Sequence, residues 1–295
     1  MTILGVDVGY TYTKTSEGVL FPSRIAQTDA ISSGDQITID GTAYFIGTGA
    51  STYDLNKIDS EVFRVCLIAA IAKSTPDNDV KIVVGLPIGQ YQTQKEQLES
   101  MIDKNKTVTV AYDGEERTIN IKDTKVYAQG AAALYSQKIS GDAIIVDIGG
   151  MTTDIALFEI EGKTRRVTDS TTLFKTGTLT LYSKIVQAVN EYFTLALDIE
   201  DGEGILKNGL TVDGVKQDVE FLKPIIREHV DKIENELRLN YPSKTKPIYL
   251  CGGGSAILGE TIKKKFPGAS FMSDAQFANA KGFKEVGLKI WAAKQ

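Results

Sequence analysis

The chain has little cysteine and histidine: two cysteines, Cys66 and Cys251, and one histidine, His229, in 295 residues. Two cysteines in apolar runs do not make a disulfide framework and are typical of buried free thiols. A single histidine argues against a histidine-based zinc site and against a Ser-His-Asp triad. No apolar run approaches about 18 residues, so a membrane span is not expected.

Basic residues are fewer than acidic ones, 33 against 38, which gives a formal net charge of −5. A surface with this balance argues against direct DNA binding, which needs a basic face. The first ten residues have neither a basic region nor a long apolar stretch, so no signal peptide is expected. Together with the free thiols, these features predict a cytoplasmic protein without membrane contact.

Strand-like apolar runs alternate with helix-like segments over most of the sequence, which predicts an α/β fold. Two long segments with helical periodicity, 179–197 and 217–239, lie in the second half, and a last helix is predicted at about 274–293. Residues 128–137 are rich in alanine and predict a further helix.

Two short segments share a pattern: DVGYTYTK at residues 7–14 and DIGGMTTD at residues 147–154. Each follows an apolar run and reads aspartate, β-branched residue and glycine, with a threonine six positions after the aspartate. They lie nearly half a chain apart, which indicates two related halves that each supply one glycine-bearing turn. Either segment alone is equally typical of an ordinary hairpin turn.

The residue types in these turns suit a polyphosphate held from both sides. Glycine after a strand allows backbone amides to approach an oxyanion, and threonine hydroxyls add donors. Aspartates at strand ends can hold Mg²⁺ through water molecules. The candidates are Asp7 and Asp147 for the metal, and Gly9, Gly149, Gly150, Thr152 and Thr153 for the phosphates.

A third glycine-rich segment lies within YLCGGGSAIL, residues 249–258, where a strand ends and a helix begins. Glycine-rich approaches to helix N-termini accommodate phosphate or flat nucleotide surfaces. The segment fits neither G-x-G-x-x-G nor the P-loop pattern, so it is neither a Rossmann nor a Walker motif. Its candidate residues are Gly252, Gly253, Gly254 and Ser255.

In this order, the segments resemble the motifs of the actin-like ATPase superfamily, which includes actin, heat-shock chaperones and sugar kinases. Asp7-x-Gly9 with Lys14 resembles the first phosphate motif, DIGGMTTD the second, and GGGS the adenosine motif. VYAQGAAALY (126–135) and FANAKGFKEVG (277–287) resemble the two connecting helices. Five motifs in order over nearly the whole chain are far more specific than any one.

Within the superfamily, the chain is most similar to the plasmid-segregation actins of the ParM/StbA type, on its length, VYAQGAAALY and TGTLTLYSKI (176–185). The resemblance implies a bilobed actin/Hsp70-like ATPase fold, with ATP and Mg²⁺ in a cleft between two related α/β domains. It implies slow ATP hydrolysis and assembly of the protein with itself into filaments. A DNA-bound adaptor protein of the ParR type would connect filament to plasmid. GTP in place of ATP is left open.

The expected first lobe comprises residues 1–146 and 274–295, with a small subdomain at about 22–60. The expected second lobe comprises 147–273, with a small subdomain at about 190–230.

The resemblance also implies roles for single residues. Lys14 would neutralise the β-phosphate, while Asp7 and Asp147 would organise Mg²⁺ and its waters. Gln129 would orient the attacking water, as glutamine does in GTPases, and Asp154 would help to order it. The alternatives left open are a solvated lysine, turn-forming or capping aspartates, and a glutamine that merely begins a helix.

One position departs from the family pattern: Tyr10 stands where actin has a serine that contacts the γ-phosphate. A tyrosine is too large to copy that serine, so Thr11 or backbone amides would do its work. Further candidate nucleotide contacts are Gly177, Thr178, Glu203 and Lys207, with a plain helix start as the alternative for the first two.

Two other functions remain as alternatives on the same fold. A small-molecule kinase or phosphotransferase needs a general base, and Asp154 is the one further carboxylate near the phosphate motifs. A bacterial cytoskeletal actin with another cargo, such as a cell-shape actin, usually carries a membrane-binding segment. The N-terminus offers none, so we expect plasmid segregation instead.

Overall fold

The chain folds into two compact units of α/β type, which confirms the predicted fold class. The structure is a computed structural model and describes residues 1–27, 35–49, 58, 60–137, 139–162 and 164–292. Met1–Ile139 with Phe277–Gln295 form the first unit, and Ser140–Gln276 form the second. The domain boundary predicted between residues 146 and 147 falls inside a strand that lies wholly in the second unit.

The first unit is built on one sheet. Within the described residues its strands are β1 (Thr2–Val8), β2 (Tyr12–Thr15), β3 (Leu20–Pro22), β4 (Ile25–Ala26), β5 (Asp35–Ile39), β6 (Thr42–Ile46), β7 (Asp79–Leu86), β8 (Thr107–Tyr112) and β9 (Glu115–Ala128). The order across the sheet is β3-β2-β1-β7-β9-β8-β5-β6-β4. β1, β7 and β9 run parallel, and Leu4, Val6 and Ile82 on them are fully buried, as expected for central strands covered on both faces.

The second unit has a smaller sheet. Its strands are β10 (Ala143–Ile148), β11 (Thr152–Glu161), β12 (Thr164–Phe174), β13 (Thr211–Val212), β14 (Val215–Lys216), β15 (Ile248–Cys251) and β16 (Ser270–Phe271). Five of them form a sheet in the order β12-β11-β10-β15-β16, while β13 and β14 pair with each other. β10 is parallel to β15 and antiparallel to β11, so it occupies the same topological place as β1 in the first unit.

The helices lie against these sheets. They are α1 (Glu61–Ser74), α2 (Ile88–Lys104), α3 (Thr178–Phe193), α4 (Asp201–Asn208), α5 (Lys223–Asn240), α6 (Ser255–Lys265) and α7 (Ala278–Ala292). α7 belongs to the first unit and packs on β1 at very short range. A Cβ on Gly5 would lie 1.9 Å from the carbonyl oxygen of Ala280, and one on Gly282 would lie 1.8 Å from that of Ala132. Gly282 of FANAKGFKEVG therefore has no room for a side chain, and neither has Gly5 of β1 against the backbone of Ala280.

The helix predicted over residues 128–137 is wrong. β9 continues to Ala128, and the amide of Gln129 extends the sheet by donating to the carbonyl of Leu86 at 2.8 Å. Gly130 then turns the chain with φ of +72°, and a short 3-10 helix, Ala132–Ser136, follows. Pairing within a buried sheet outweighs the helix propensity of alanine, which is a weak preference.

The other predicted helices exist with shifted ends. The segment predicted at 179–197 ends at Phe193, because Thr194 adopts the left-handed conformation with φ of 56°. The segment predicted at 217–239 starts as an α-helix at Lys223, with a proline in its first turn, where proline is compatible with a helix. The last helix starts at Ala278.

The two small subdomains stay a prediction. Residues 28–34, 50–57 and 59 of the first one lie outside the described residues, and its described strands β4, β5 and β6 extend the large sheet. The second one contains α4 and the β13–β14 pair. None of the helices in the described part of the chain is long and apolar enough to cross a membrane.

Candidate functional site

The first glycine-bearing segment is a hairpin of β1 and β2 in which Asp7 and Lys14 lie directly opposite each other. Lys14 Nζ is 2.7 Å from Asp7 Oδ2, and the two side chains are only 11% and 3% exposed. Lys14 is thus a buried cation rather than a solvated hairpin lysine. A buried pair of this kind depends on both partners, because removing one leaves an uncompensated charge.

Gln129 completes the surroundings of Asp7. Its Nε2 donates to Asp7 Oδ1 at 2.7 Å, and its side chain is buried. Both carboxylate oxygens of Asp7 therefore have a donor from the protein, and the amide oxygen Oε1 of Gln129 is the atom left to accept from a water. The next residue is fixed as well, because the Gly130 amide donates to Asn279 Oδ1 at 2.8 Å.

The turn of this hairpin is formed by Gly9, Tyr10 and Thr11. The amide of Gly9 donates to the carbonyl of Tyr12, and a Cβ on Gly9 would lie 2.7 Å from that oxygen. Tyr10 is buried and borders a small cavity of about 20 Å³ together with Phe63. Thr11 Oγ1 is buried and has no hydrogen-bond partner in the described part of the chain. A buried hydroxyl without a partner is unfavourable unless a ligand satisfies it.

The second segment is a hairpin of β10 and β11 with the same register. Asp147 lies opposite Asp154, at the position where the first hairpin has Asp7 and Lys14. Both aspartates are buried, at 5% and 4% exposure. Asp154 Oδ1 accepts from the hydroxyl of Thr172 on β12 at 2.5 Å. Carboxylate oxygens are ligands that Mg²⁺ takes in proteins, so this pair of buried acids is a candidate place for a metal ion.

The turn of the second hairpin is pressed against the start of α3. A Cβ on Gly177 would lie 2.4 Å from the carbonyl carbon and oxygen of Gly150. The amides of Gly177 and Thr178 donate to the carbonyls of Met151 and Gly149. Within the described residues, the amides of Gly150 and Met151 have no hydrogen-bond acceptor. The turn thus offers two backbone donors to an anion.

Thr152 and Thr153 of this turn, which were predicted to donate to phosphate, already make contacts within the protein. The Thr153 hydroxyl already donates to the carbonyl of Thr176 at 3.1 Å. The same carbonyl accepts from His229 Nε2 at 2.8 Å. Burial lowers the pKa of His229, a shift that the bond to Thr176 opposes and the charges of Lys184 and Lys232 reinforce. Thr152 is buried, and its carbonyl closes the turn by accepting from the Gly149 amide.

The third segment, Gly252–Ser255, lies against the end of β10. Gly252 has φ of +80°, and a Cβ on it would lie 2.3 Å from Asp147 Oδ1. The Gly254 amide donates to the carbonyl of Ile148 at 2.9 Å. Ser255 donates its hydroxyl to the carbonyl of Gly252, so this hydroxyl stabilises the turn itself. Gly253 has no comparable restriction, since the nearest atoms to its Cβ would be 3.9 Å away.

Glu203 and Lys207 lie on α4, where they form an ion pair with each other at 2.5 Å. A Cβ on the neighbouring Gly202 would lie 2.6 Å from Cβ of Tyr182, so α4 packs closely on α3. Their predicted contact with the nucleoside stays a prediction.

Sequence reasoning missed three polar residues around the hairpins: Asn279, Thr172 and His229. Asn279 lies inside FANAKGFKEVG, so a polar residue within a small-residue packing motif was the available signal. His229 was visible as the single histidine in an apolar helix face. Thr172 had no signal, because its contact with Asp154 depends on the register of β11 and β12.

The fold and these hairpins define the class: two α/β units, each with a glycine turn after a central strand, as in actin-like proteins. Residues 5–131 match the family "Actin like proteins N terminal domain", and residues 145–264 match "Archaeal actin homologue MreB-like, C-terminal". The chain therefore belongs to the actin-like superfamily, as the sequence motifs predicted. No curated protein matches it in sequence.

Solved structures agree on the fold. A ParM filament from Clostridium botulinum superposes with a TM-score of 0.83 at 23% identity, covering 97% of this chain and 99% of that one. The archaeal actin homologue Ta0583 in complex with ADP gives 0.82 at 24%, covering 98% and 100%. Bacillus thuringiensis ParM with AMPPNP gives 0.69 at 18%, covering 98% of both chains. At these identities the likeness shows the actin-like fold alone.

Proposed function

We propose that this protein is an actin-like ATPase that polymerises with Mg-ATP into filaments and thereby segregates plasmid DNA. The observation that carries the ATPase part is the shared register of the two hairpins. Asp7 faces Lys14, and Asp147 faces Asp154, each beside a glycine turn at the end of a buried strand. One hairpin thus offers a cation, which suits phosphate, and the other offers a pair of acids, which suits magnesium.

The donors in each unit suit phosphate oxygens. In the first unit, Lys14 would act as the point charge on the phosphates. The Thr11 hydroxyl, which has no partner within the described part of the chain, would donate to a phosphate oxygen. In the second unit, the amides of Gly150 and Met151 would donate. Because Tyr10 is buried in the first unit, Thr11 would take over the role of actin's serine.

The carboxylates suit Mg²⁺, which is commonly held through one or two carboxylates together with substrate phosphates and waters. The described residues contain no group of three or more side chains that could hold a metal ion by themselves. Asp147, beside Asp154, would hold the ion, and Asp7 would act through waters because its oxygens already accept from Lys14 and Gln129. Bound Mg²⁺ would offset negative charge on the phosphates.

Hydrolysis would depend on Gln129. Because its Nε2 is held by Asp7, its Oε1 can accept from a water and orient it for attack. A neutral amide is a poor general base, so we expect slow hydrolysis. Slow hydrolysis would suit control of the lifetime of a filament. Asp154 would help to order the water. Gly252–Gly254 would lie against the adenosine, and Glu203 and Lys207 are the proposed contacts to the nucleoside.

Filament assembly is supported by relatives that were solved as filaments, a ParM of Clostridium botulinum and Alp12. Plasmid segregation would further require an adaptor of the ParR type bound to the DNA, because a net charge of −5 does not favour direct contact.

Electron microscopy and pelleting of the purified protein, with Mg-ATP, with a non-hydrolysable analogue and without nucleotide, test the proposal. Filaments in both nucleotide samples, with faster disassembly in ATP, are expected. Protein that stays monomeric over a wide range of concentration and salt would exclude the filament function. Rapid phosphate transfer to a small acceptor would instead support the kinase alternative.

A further inference from the structure

His229 is the single histidine of the chain, and its side chain on α5 is fully buried. Its Nε2 lies 2.8 Å from the carbonyl oxygen of Thr176. A carbonyl oxygen can only accept, so the neutral ring carries its proton on Nε2. Nδ1 is buried and has no hydrogen-bond partner within the described residues.

The carbonyl of Thr176, in the connection between β12 and α3, is held by side chains of two other elements. It accepts from His229 on α5 and from the Thr153 hydroxyl on β11, at 2.8 Å and 3.1 Å. The next two amides, of Gly177 and Thr178, donate to carbonyls of the turn at Gly149–Met151. A continuous set of hydrogen bonds therefore leads from the imidazole to the turn.

The segment between them needs such support. Lys175 has φ of 59°, a left-handed conformation that non-glycine residues seldom adopt. Gly177 is in backbone contact with Gly150, with room for no side chain. A strained segment in close contact with its neighbour keeps its position when surrounding groups fix it from several sides.

We propose that His229 is a positioning residue for the glycine turn of the second unit. By holding the Thr176 carbonyl from the side of α5, it keeps Lys175–Thr178 against Gly149–Met151, and so aims the amides of Gly150 and Met151. The inference rests on the proposed function, in which this turn binds nucleotide phosphates.

The chemistry of the ring suits this task. A neutral imidazole supplies one donor in a rigid plane, whereas an imidazolium would place a second N–H at Nδ1, where the described residues offer no acceptor. The charged groups around it are Lys232 and Lys184, which disfavour the imidazolium, and Glu228, which favours it. The ring should therefore stay neutral at physiological pH.

Nuclear magnetic resonance of the intact protein tests the geometry without any variant. With one histidine, ¹⁵N-labelled histidine gives a single imidazole spectrum. We expect the Nε2–H form, no titration near the ordinary value of about 6.5, and a shift of these signals on saturation with Mg-ADP. An Nδ1–H form, an ordinary titration, or signals unmoved by bound Mg-ADP would each overturn the proposal.

Two variants separate positioning from mere packing. His229→Phe keeps a ring but loses the donor and should weaken Mg-ADP binding about tenfold by calorimetry, while His229→Gln keeps a donor and should restore most of it. Ile233→Ala, also buried on α5, is the control: it should lower the melting temperature without changing affinity below melting.

Equal affinity of the phenylalanine variant and the unmodified protein would overturn the role of His229. If the unmodified protein itself fails to bind Mg-ADP, the proposed function is what fails. If the phenylalanine variant does not fold, the imidazole spectrum of the unmodified protein still decides the question.

Discussion

Asp147 and Asp154 face each other across β10 and β11, at the register position where Asp7 faces Lys14 across β1 and β2. The same backbone arrangement thus carries two acids in one unit and an ion pair in the other. Both acids are buried, and carboxylate oxygens are ligands that Mg²⁺ takes in proteins.

Replacing Asp147 with asparagine should therefore abolish ATP hydrolysis without lowering the stability of the nucleotide-free protein. The change removes one of two facing carboxylates and keeps the side-chain volume. ATPase assays and urea unfolding check both parts. Asp169→Asn, an exposed change on β12, is the control and should alter neither. Undiminished hydrolysis in the Asp147 variant would remove this residue from the site.

Replacing Lys14 with methionine should lower the free energy of unfolding by about 3 kcal/mol, because Asp7 is left as a buried, uncompensated charge. The double variant Asp7→Asn with Lys14→Met should recover part of this loss. Lys207→Met, which removes one half of an exposed pair, should change stability by less than about 1 kcal/mol. If Lys14→Met and Lys207→Met lowered the free energy of unfolding by similar amounts, the Asp7–Lys14 pair would not be buried in solution.

Thr11→Val should leave the stability of the nucleotide-free protein unchanged or higher, because it removes a buried hydroxyl that has no partner among the described residues. It should nevertheless weaken binding of a non-hydrolysable Mg-ATP analogue by roughly fivefold, because the Thr11 hydroxyl is proposed to replace the serine that contacts the γ-phosphate. Thr13→Val is the matched control: this hydroxyl is paired with Ser23 at 2.8 Å, so its loss should lower stability. Calorimetry and thermal unfolding separate the two patterns. Unchanged affinity in the Thr11 variant would count against its proposed phosphate contact.

Gly252→Ala should destabilise the protein by more than about 1 kcal/mol and impair hydrolysis. The added Cβ would meet Asp147 Oδ1 at 2.3 Å, on a backbone with φ of +80°. Gly253→Ala has free space and should change stability by no more than about 0.5 kcal/mol. Denaturant unfolding measures the free energy of unfolding of both variants. Equal values for Gly252→Ala and Gly253→Ala would contradict the geometry of this turn.

The stability of the protein should fall as the pH drops below about 6.5, through His229. Burial lowers its pKa in the folded state, so between that value and the unfolded value the unfolded chain binds more protons. The contribution of His229 to stability is therefore fully present above its pKa in the unfolded chain. It is lost as the pH falls toward its pKa in the folded protein. Urea unfolding at several pH values should show this slope, and His229→Phe should lack it. An identical slope in both proteins would assign it to other groups.

Most of the fold followed from the sequence. Alternating apolar runs predicted the α/β class, and the five motifs in order predicted the superfamily. The helix predicted at 128–137 was wrong because the preference of alanine is local, whereas the pairing of Gln129 with Leu86 joins distant parts of the sheet. Helix ends at Phe193 and Lys223 differed because a left-handed cap and a first-turn proline set them.

The sequence by itself determined which residues are the candidates for the chemistry: aspartates and glycines at strand ends, Lys14, Gln129 and the triple glycine. Their spacing along one strand is a local property that can be read directly. Only the tertiary structure decided what each side chain contacts. It placed Gln129 on Asp7, used the Thr153 hydroxyl for Thr176, and brought His229 to the same carbonyl. Those contacts join elements far apart in the chain, so they depend on strand register and helix packing, which no short segment encodes.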